Sequence, residues 1–101
     1  MEIRITQADE KTSIILKGRF DFQTIQEFQH ALQTEIRTGK SVLAVDLSQV
    51  NFIDSSALGS LLVARESCEK AGGGIILIQP RDYVAKILKL CLFDQLFQIE
   101  Q

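Results

Sequence analysis

The sequence predicts an α/β domain: a mixed β-sheet of about four to five strands with about three helices, in the order β-β-α-β-α-β-α-(β). Three observations predict it. Two nearly unbroken apolar runs, Val42-Leu43-Ala44-Val45-Asp46-Leu47 and Ile75-Ile76-Leu77-Ile78, fit buried strands of a parallel sheet. The stretches around them repeat their apolar residues at helical spacing. The N-terminus instead alternates, with Ile3 and Ile5 set among Glu2, Arg4 and Thr6, as in a strand with one covered face.

Taken in order, the polar stretch Gln7 to Lys11 separates that first strand from Thr12-Ser13-Ile14-Ile15-Leu16. The two runs form an antiparallel hairpin, and Gly18 closes the second. The period then changes: Ile25, Phe28, Leu32 and Ile36 share one side of a helix, with Gln26, Gln29, Gln33 and Arg37 on the other. Thr24 with Glu27 fits a capping box and Gly39 a C-terminal stop, so this helix runs from about Thr24 to about Thr38. The run from Val42 is a central strand, and Asn51-Phe52-Ile53 then leads to Asp54, Ser55 and Ser56, all N-cap types. A second helix follows to about Ala71, where Gly72-Gly73-Gly74 ends it. After the strand at Ile75–Ile78, Pro80 precedes a third helix carrying Val84, Ile87, Leu88 and Cys91 on one stripe. Phe97-Gln98-Ile99 adds a short strand at an edge. Parallel neighbours are joined by right-handed crossovers, while the order of strands in the sheet stays open.

A chain of 101 residues makes one domain, 1–101, large enough for a real core. Apolar content of 46% with 24% charged residues excludes disorder and fibrous repeats. Lys and Arg number 11 against 13 Asp and Glu, a net charge of −2, which argues against direct nucleic-acid binding. No apolar stretch approaches the ~20 residues a membrane helix needs, so membrane insertion is not expected. Two cysteines without a signal-peptide pattern point to a reducing, cytoplasmic setting.

Most catalytic chemistry is excluded on the same grounds. The single histidine, His30, lies off the apolar stripe of its helix and makes neither a His-rich metal site nor a Ser-His-Asp triad. Cys68 and Cys91 fall on expected buried faces and read as inert thiols. The glycine run follows a helix and precedes a strand, the reverse of a phosphate-binding loop. Tyr83 and the six phenylalanines show no interleaving with basic residues and read as core or interface. No cofactor and no enzymatic activity are expected.

The stretch Val45-Asp46-Leu47-Ser48-Gln49-Val50-Asn51-Phe52-Ile53-Asp54-Ser55-Ser56-Ala57-Leu58-Gly59 resembles the signature of STAS domains. In the anti-sigma factor antagonists of that family, a hydrophobic strand runs into Asp-Ser-(Ser/Thr)-Gly-Leu-Gly at the start of a helix. Upstream, Gly18-Arg19-Phe20-Asp21 resembles the family's Gly-x-(Leu/Phe/Ile)-Asp. Length and element order match over essentially the whole chain. Ala57 departs from the pattern, which has glycine there; alanine is the better helix former, but a partner packed closely at that point would meet the added methyl.

The resemblance implies a switch. An unphosphorylated antagonist binds an anti-sigma factor that is also a serine kinase of the GHKL type, and so frees the sigma factor. The kinase phosphorylates a serine of the antagonist, which releases it, and a PP2C-type phosphatase restores it. By position the phosphorylated serine is Ser55, with Ser56 as the alternative, and Asp21 contributes to partner contact or phosphorylation. The antagonist is expected to be a monomer when free.

The residues suit such a role. A serine at a helix N-terminus sits among unpaired N–H groups at the positive end of the macrodipole, where a phosphate of roughly −1.5 to −2 charge is tolerated. The competing reading makes Ser55, or Ser56, only an N-cap worth about 1 kcal/mol. At 100° per residue, Ala57, Leu61, Ala64, Cys68 and Ala71 should face the sheet. Ser55, Gly59, Leu62, Val63 and Glu66 fall on another side, so Leu62 and Val63 read as partner surface or as helix–helix packing. The expected partner contacts are Asp21, Asp54, Ser56, Gly59, Leu62, Val63 and Glu66. Asp21 also suits an Asx turn or a cap for the first helix. Asp46 is expected to bond locally at a strand end and is given no function.

Two other readings compete. One is a STAS interaction module that serves a transporter or a lipid-transport complex without phosphorylation. The other, a receiver-like domain phosphorylated on aspartate, is disfavoured because the hairpin breaks the β-α alternation and no acidic pair follows the first strand.

Overall fold

The structure, a computed structural model, describes residues 1–8, 11–40 and 42–101. Its elements are β1 (Glu2–Ala8), β2 (Lys11–Phe20), α1 (Ile25–Arg37), β3 (Val42–Ile53), α2 (Ser55–Lys70), β4 (Gly74–Ile78), α3 (Asp82–Leu90) and β5 (Gln98–Glu100), with a 3-10 turn at Phe93–Gln95. The predicted α/β architecture and element order are present, including the short last strand. The strands stand in the order β1-β2-β3-β4-β5. β1 and β2 are antiparallel, and the pairs β2–β3, β3–β4 and β4–β5 are parallel. Each parallel pair is joined through a helix, as the lengths between strands require.

β1 and β2 pair without a break from Glu2 opposite Lys17 to Ala8 opposite Lys11. Residues 9 and 10 of the expected turn lie outside the described residues. Gly18 does not close β2, which continues to Phe20. It has φ +105°, and the register with β3 slips on both sides of it, between Ile15 and Lys17 and between Gly18 and Arg19. Glycine is needed there for its conformation, since an added Cβ would meet nothing closer than Met1 Cα at 3.9 Å.

β3 is one strand of 12 residues, where the sequence suggested a run ending at Leu47 and a separate approach to the second helix. Its first half lies between β2 and β4; beyond Asp46, opposite Ile78, it pairs with β2 alone. Asp46 bonds locally as expected, its Oδ1 accepting from Ser48 N at 2.9 Å and Ser48 Oγ at 2.6 Å. It does so in mid-strand, where the ladder to β4 stops.

The core lies on one face of the sheet. Ile14 and Leu16, Leu43, Val45 and Leu47, and Ile75 and Leu77 are buried there, joined in one apolar cluster by Phe28 and Leu32 of α1, Leu61 and Cys68 of α2, and Val84 and Leu88 of α3. Phe20 and Phe28 meet edge to face at 5.1 Å. Phe93, in the 3-10 turn that the sequence reading missed, and Phe97, two residues beyond it, stack at 5.2 Å. Two expected core residues lie outside: Ala71 and Cys91 are exposed, because each is the C-cap where its helix has stopped. Cys68 is buried as expected, and burial pushes its thiol up to about 11.

Gly39 and Gly72 end α1 and α2 with φ of +94° and +86°. Lys40 N donates to Glu35 O and Gly73 N to Cys68 O, the 6→1 bonds of a Schellman motif. The glycine run is thus a helix stop. The side of α1 expected to carry only polar surface partly faces α2. Gln29 Nε2 donates to Ser60 O at 2.9 Å and approaches Ser60 Oγ at 2.7 Å, and Gln33 Nε2 donates to Ser67 Oγ at 3.1 Å. Glutamines on α1 meet serines on α2, so the two helices are laced by polar contacts above the core; His30 is exposed as expected.

Candidate functional site

The candidate residues converge where β2 and β3 end and α1 and α2 begin. Asp54 leaves β3 in an extended conformation, φ −113° and ψ 179°, and caps α2. Its Oδ1 accepts from Ala57 N at 2.8 Å, satisfying one of the helix's unpaired donors. Its Oδ2 reaches across to the other chain crossing and accepts from Phe22 N at 3.1 Å. One carboxylate therefore holds the start of α2 and the turn before α1.

Asp21 sits in that turn, largely buried. Its Oδ1 accepts from Gln23 N at 3.1 Å, the Asx turn expected of it. Its Oδ2 lies 3.4 Å from Arg19 Nε. Thr24 precedes α1, but the capping box does not form, for its side chain makes no cap bond. Thr24 Oγ1 turns back instead, accepting from Asp21 N at 3.0 Å and lying within hydrogen-bond reach of Asp21 O at 3.0 Å and Arg19 O at 3.2 Å. A hydroxyl spent on closing the turn is unavailable to the helix.

Ser55 and Ser56 are exposed in the first turn of α2, and neither is its cap, since Asp54 fills that place. The turn contains no acidic side chain, so its backbone N–H groups present positive potential with no carboxylate of their own beyond the cap. The sheet-facing stripe of α2 is Ala57, Leu61, Ala64 and Cys68, each fully buried. Ala57 thus directs its methyl into the core, away from any partner, which removes the concern attached to that departure. Gly59 is half-buried, Leu62 and Val63 are 39% and 52% exposed, and the exposed Glu66 pairs with Lys70 Nζ at 3.1 Å one turn on. Ile25 and Gln29 of α1 with Ser56, Gly59, Ser60 and Val63 of α2 line an apolar groove of about 500 Å³.

The structure therefore brings Asp21, Asp54, Ser55 and Ser56 together and sets Gly59 and Val63 along a groove beside them. Leu62 is exposed outside that lining, and Glu66 lies further down the helix. Two neighbours were missed by the sequence reading. The Arg19 guanidinium lies 3.9 Å over the Phe52 ring, which stacks on Tyr83 at 6.1 Å, so Arg19 is held between an aromatic face and the Asp21 carboxylate. Phe22 is 65% exposed on the turn that Asp54 ties down; a large apolar residue directly after the turn former Asp21 was the available signal. Among the described residues no group of three or more His, Cys, Asp or Glu side chains could hold a metal ion, and no helix is long and apolar enough to cross a membrane.

The STAS domain family model matches residues 2–101. A STAS-domain containing protein of Pseudomonas aeruginosa (strain UCBPP-PA14) is 37% identical over 90 residues, which cover 89% of this chain and 88% of the relative. The crystal structure of an anti-sigma factor antagonist from Mycobacterium paratuberculosis superposes with a TM-score of 0.87 at 21% identity, covering 98% of this chain and 84% of that one. The Bacillus cell fate determinant SpoIIAA in its phosphorylated form gives 0.75 at 20% identity over 99% and 92% of the two chains. A sulfate transporter family protein from Wolinella succinogenes gives 0.78 at 21% identity over 90% and 76%. At such identities these likenesses show a shared fold.

Proposed function

The chain belongs to the STAS domain family, and we propose that it works there as an anti-sigma factor antagonist in a partner-switching pathway. In this reading the unphosphorylated domain binds an anti-sigma factor that is also a GHKL-type serine kinase, and so releases that factor's target. Phosphorylation of Ser55 ends the binding, and a PP2C-type phosphatase restores it. The antagonists among the solved structures of the same fold support the general role.

The observation that supports the switch most is the exposed Ser55 at the first position of a helix already capped by its neighbour. A phosphate there replaces no structural bond. The positive helix end stabilises an exposed anion by up to ~1 kcal/mol, so α2 has no reason to melt. The domain's net charge moves from −2 to roughly −4, next to the half-buried groove. A partner fitted to a neutral, partly apolar surface must then desolvate a dianion or withdraw, which costs commonly several kcal/mol, a 100-fold or greater fall in affinity.

Incubation with the kinase that co-purifies with the unmodified protein, followed by peptide mass spectrometry, tests the assignment. Phosphate is expected on Ser55 and absent from Ser55→Ala; phosphate confined to Ser56 or to another residue would overturn it. The transporter family protein of the same fold favours one second reading, an interaction module that serves a transporter without phosphorylation. Recovery of a transporter subunit in place of a kinase by the same purification would select it.

A further inference from the structure

The two edges of the sheet are protected to very different degrees. β5 has three residues, a short edge. β1 has seven, contains no proline, pairs with β2 without a bulge, and stands at the end of the strand order, with no strand on its outer side among the described residues. Short strands, bulges and prolines are usual defences of an edge, and β1 has none of them; its charged residues, Glu2 and Arg4, are of opposite sign. Of its residues only Ile3 is even half-buried, and Ile5 is 40% exposed.

We infer that β1 pairs antiparallel with β1 of a second copy, across a two-fold axis at Ile3, to form a continuous ten-stranded sheet. Residues directly opposite in an antiparallel pair share a face, so a symmetric seam must centre on one residue. A centre at Glu2 or Arg4 would set like charges opposite each other, and a centre at Ile5 would set Arg4 opposite Thr6. The centre at Ile3 sets Glu2 opposite Arg4 of the other copy, twice by symmetry. On the opposite face it sets Ile3 against Ile3, and Ile5 against Met1, covering the exposed Ile5. The charges are placed for it: Glu2 already faces Lys17 across β2, so the arginine extends a cation–anion–cation row, and among the described residues Arg4 has no ion-pair partner of its own. Neither the open edge nor the charge register depends on the switch proposed for Ser55, and the dimer replaces the expected free monomer.

Sedimentation velocity of the full chain over a range of concentrations tests this. A reversible dimer is expected. Arg4→Glu, which sets acid opposite acid at two places, should weaken it roughly tenfold or more, and Glu2→Arg with Arg4→Glu in one chain should restore it. Because both residues are exposed, near-native circular dichroism is expected of all variants. A monomer at every concentration would overturn the proposal, as would a dimer indifferent to Arg4→Glu or a loss that the double exchange fails to rescue.

Discussion

α1 and α2 begin beside each other and frame one groove, yet their first turns are held in different ways. α2 has a carboxylate cap in extended geometry, bonded to Ala57 N. α1 follows a residue of the right type, Thr24, whose backbone is already near-helical, φ −115° and ψ −4°, and whose hydroxyl is committed to the turn behind it. Order at the start of α1 comes from outside: Asp21 and Thr24 close the turn, and Asp54, from the other helix, holds it through Phe22 N. One side chain thereby sets the geometry of both helix starts, and the exposed serines follow it directly. The lesson is that a cap preference is an offer which competing bonds, near in the chain as at Thr24 or far along it as at Asp54, accept or decline.

Breaking Asp54 should have the largest effect on this arrangement. Asp54→Ala removes a cap and a charged acceptor, for a loss of about 2 kcal/mol in urea denaturation. Amide signals of Phe22 and Gln23 should shift along with those of Ala57. Asp54→Asn keeps an acceptor for only one of the two N–H groups and should fall between. Effects confined to α2 would show that the two helix starts are independent.

The contrast sharpens with two smaller changes. Thr24→Val should cost about 1 kcal/mol by opening the Asp21 turn. Glu27→Ala should stay within about 0.5 kcal/mol, because without a capping box Glu27 is only an exposed carboxylate. Equal losses from the two would restore the capping box and contradict the bond pattern at Thr24.

The legible part of the molecule is the part that periodicity governs. Strand runs, the helix stripes through Phe28, Leu32, Leu61 and Ala64, and the glycine stops were readable because each follows from burial or from a φ that only glycine takes easily. The chain order of Asp21, Asp54 and Ser55 and their resemblance to the STAS signature named the candidate site. Three things escaped, each because a hydrogen bond or contact that periodicity does not encode decides it. Thr24 spends its hydroxyl on Asp21 and Arg19, Gln29 and Gln33 turn from solvent to serines on α2, and Arg19 finds Phe52 on the neighbouring strand. Cys91 and Ala71 failed for a simpler reason: a stripe extrapolated past the last helical residue points nowhere.

The central claim is that charge added at Ser55 acts at the surface and leaves the fold unchanged. The most direct measurement is an amide NMR titration of the cognate kinase into the unmodified and the Ser55-phosphorylated domain. Before any partner is added, phosphorylation should shift only the signals around residues 19–24 and the first turns of α2. Affinity should then fall 100-fold or more. Shifts spread across β3 and β4, or equal affinity for the two forms, would contradict it.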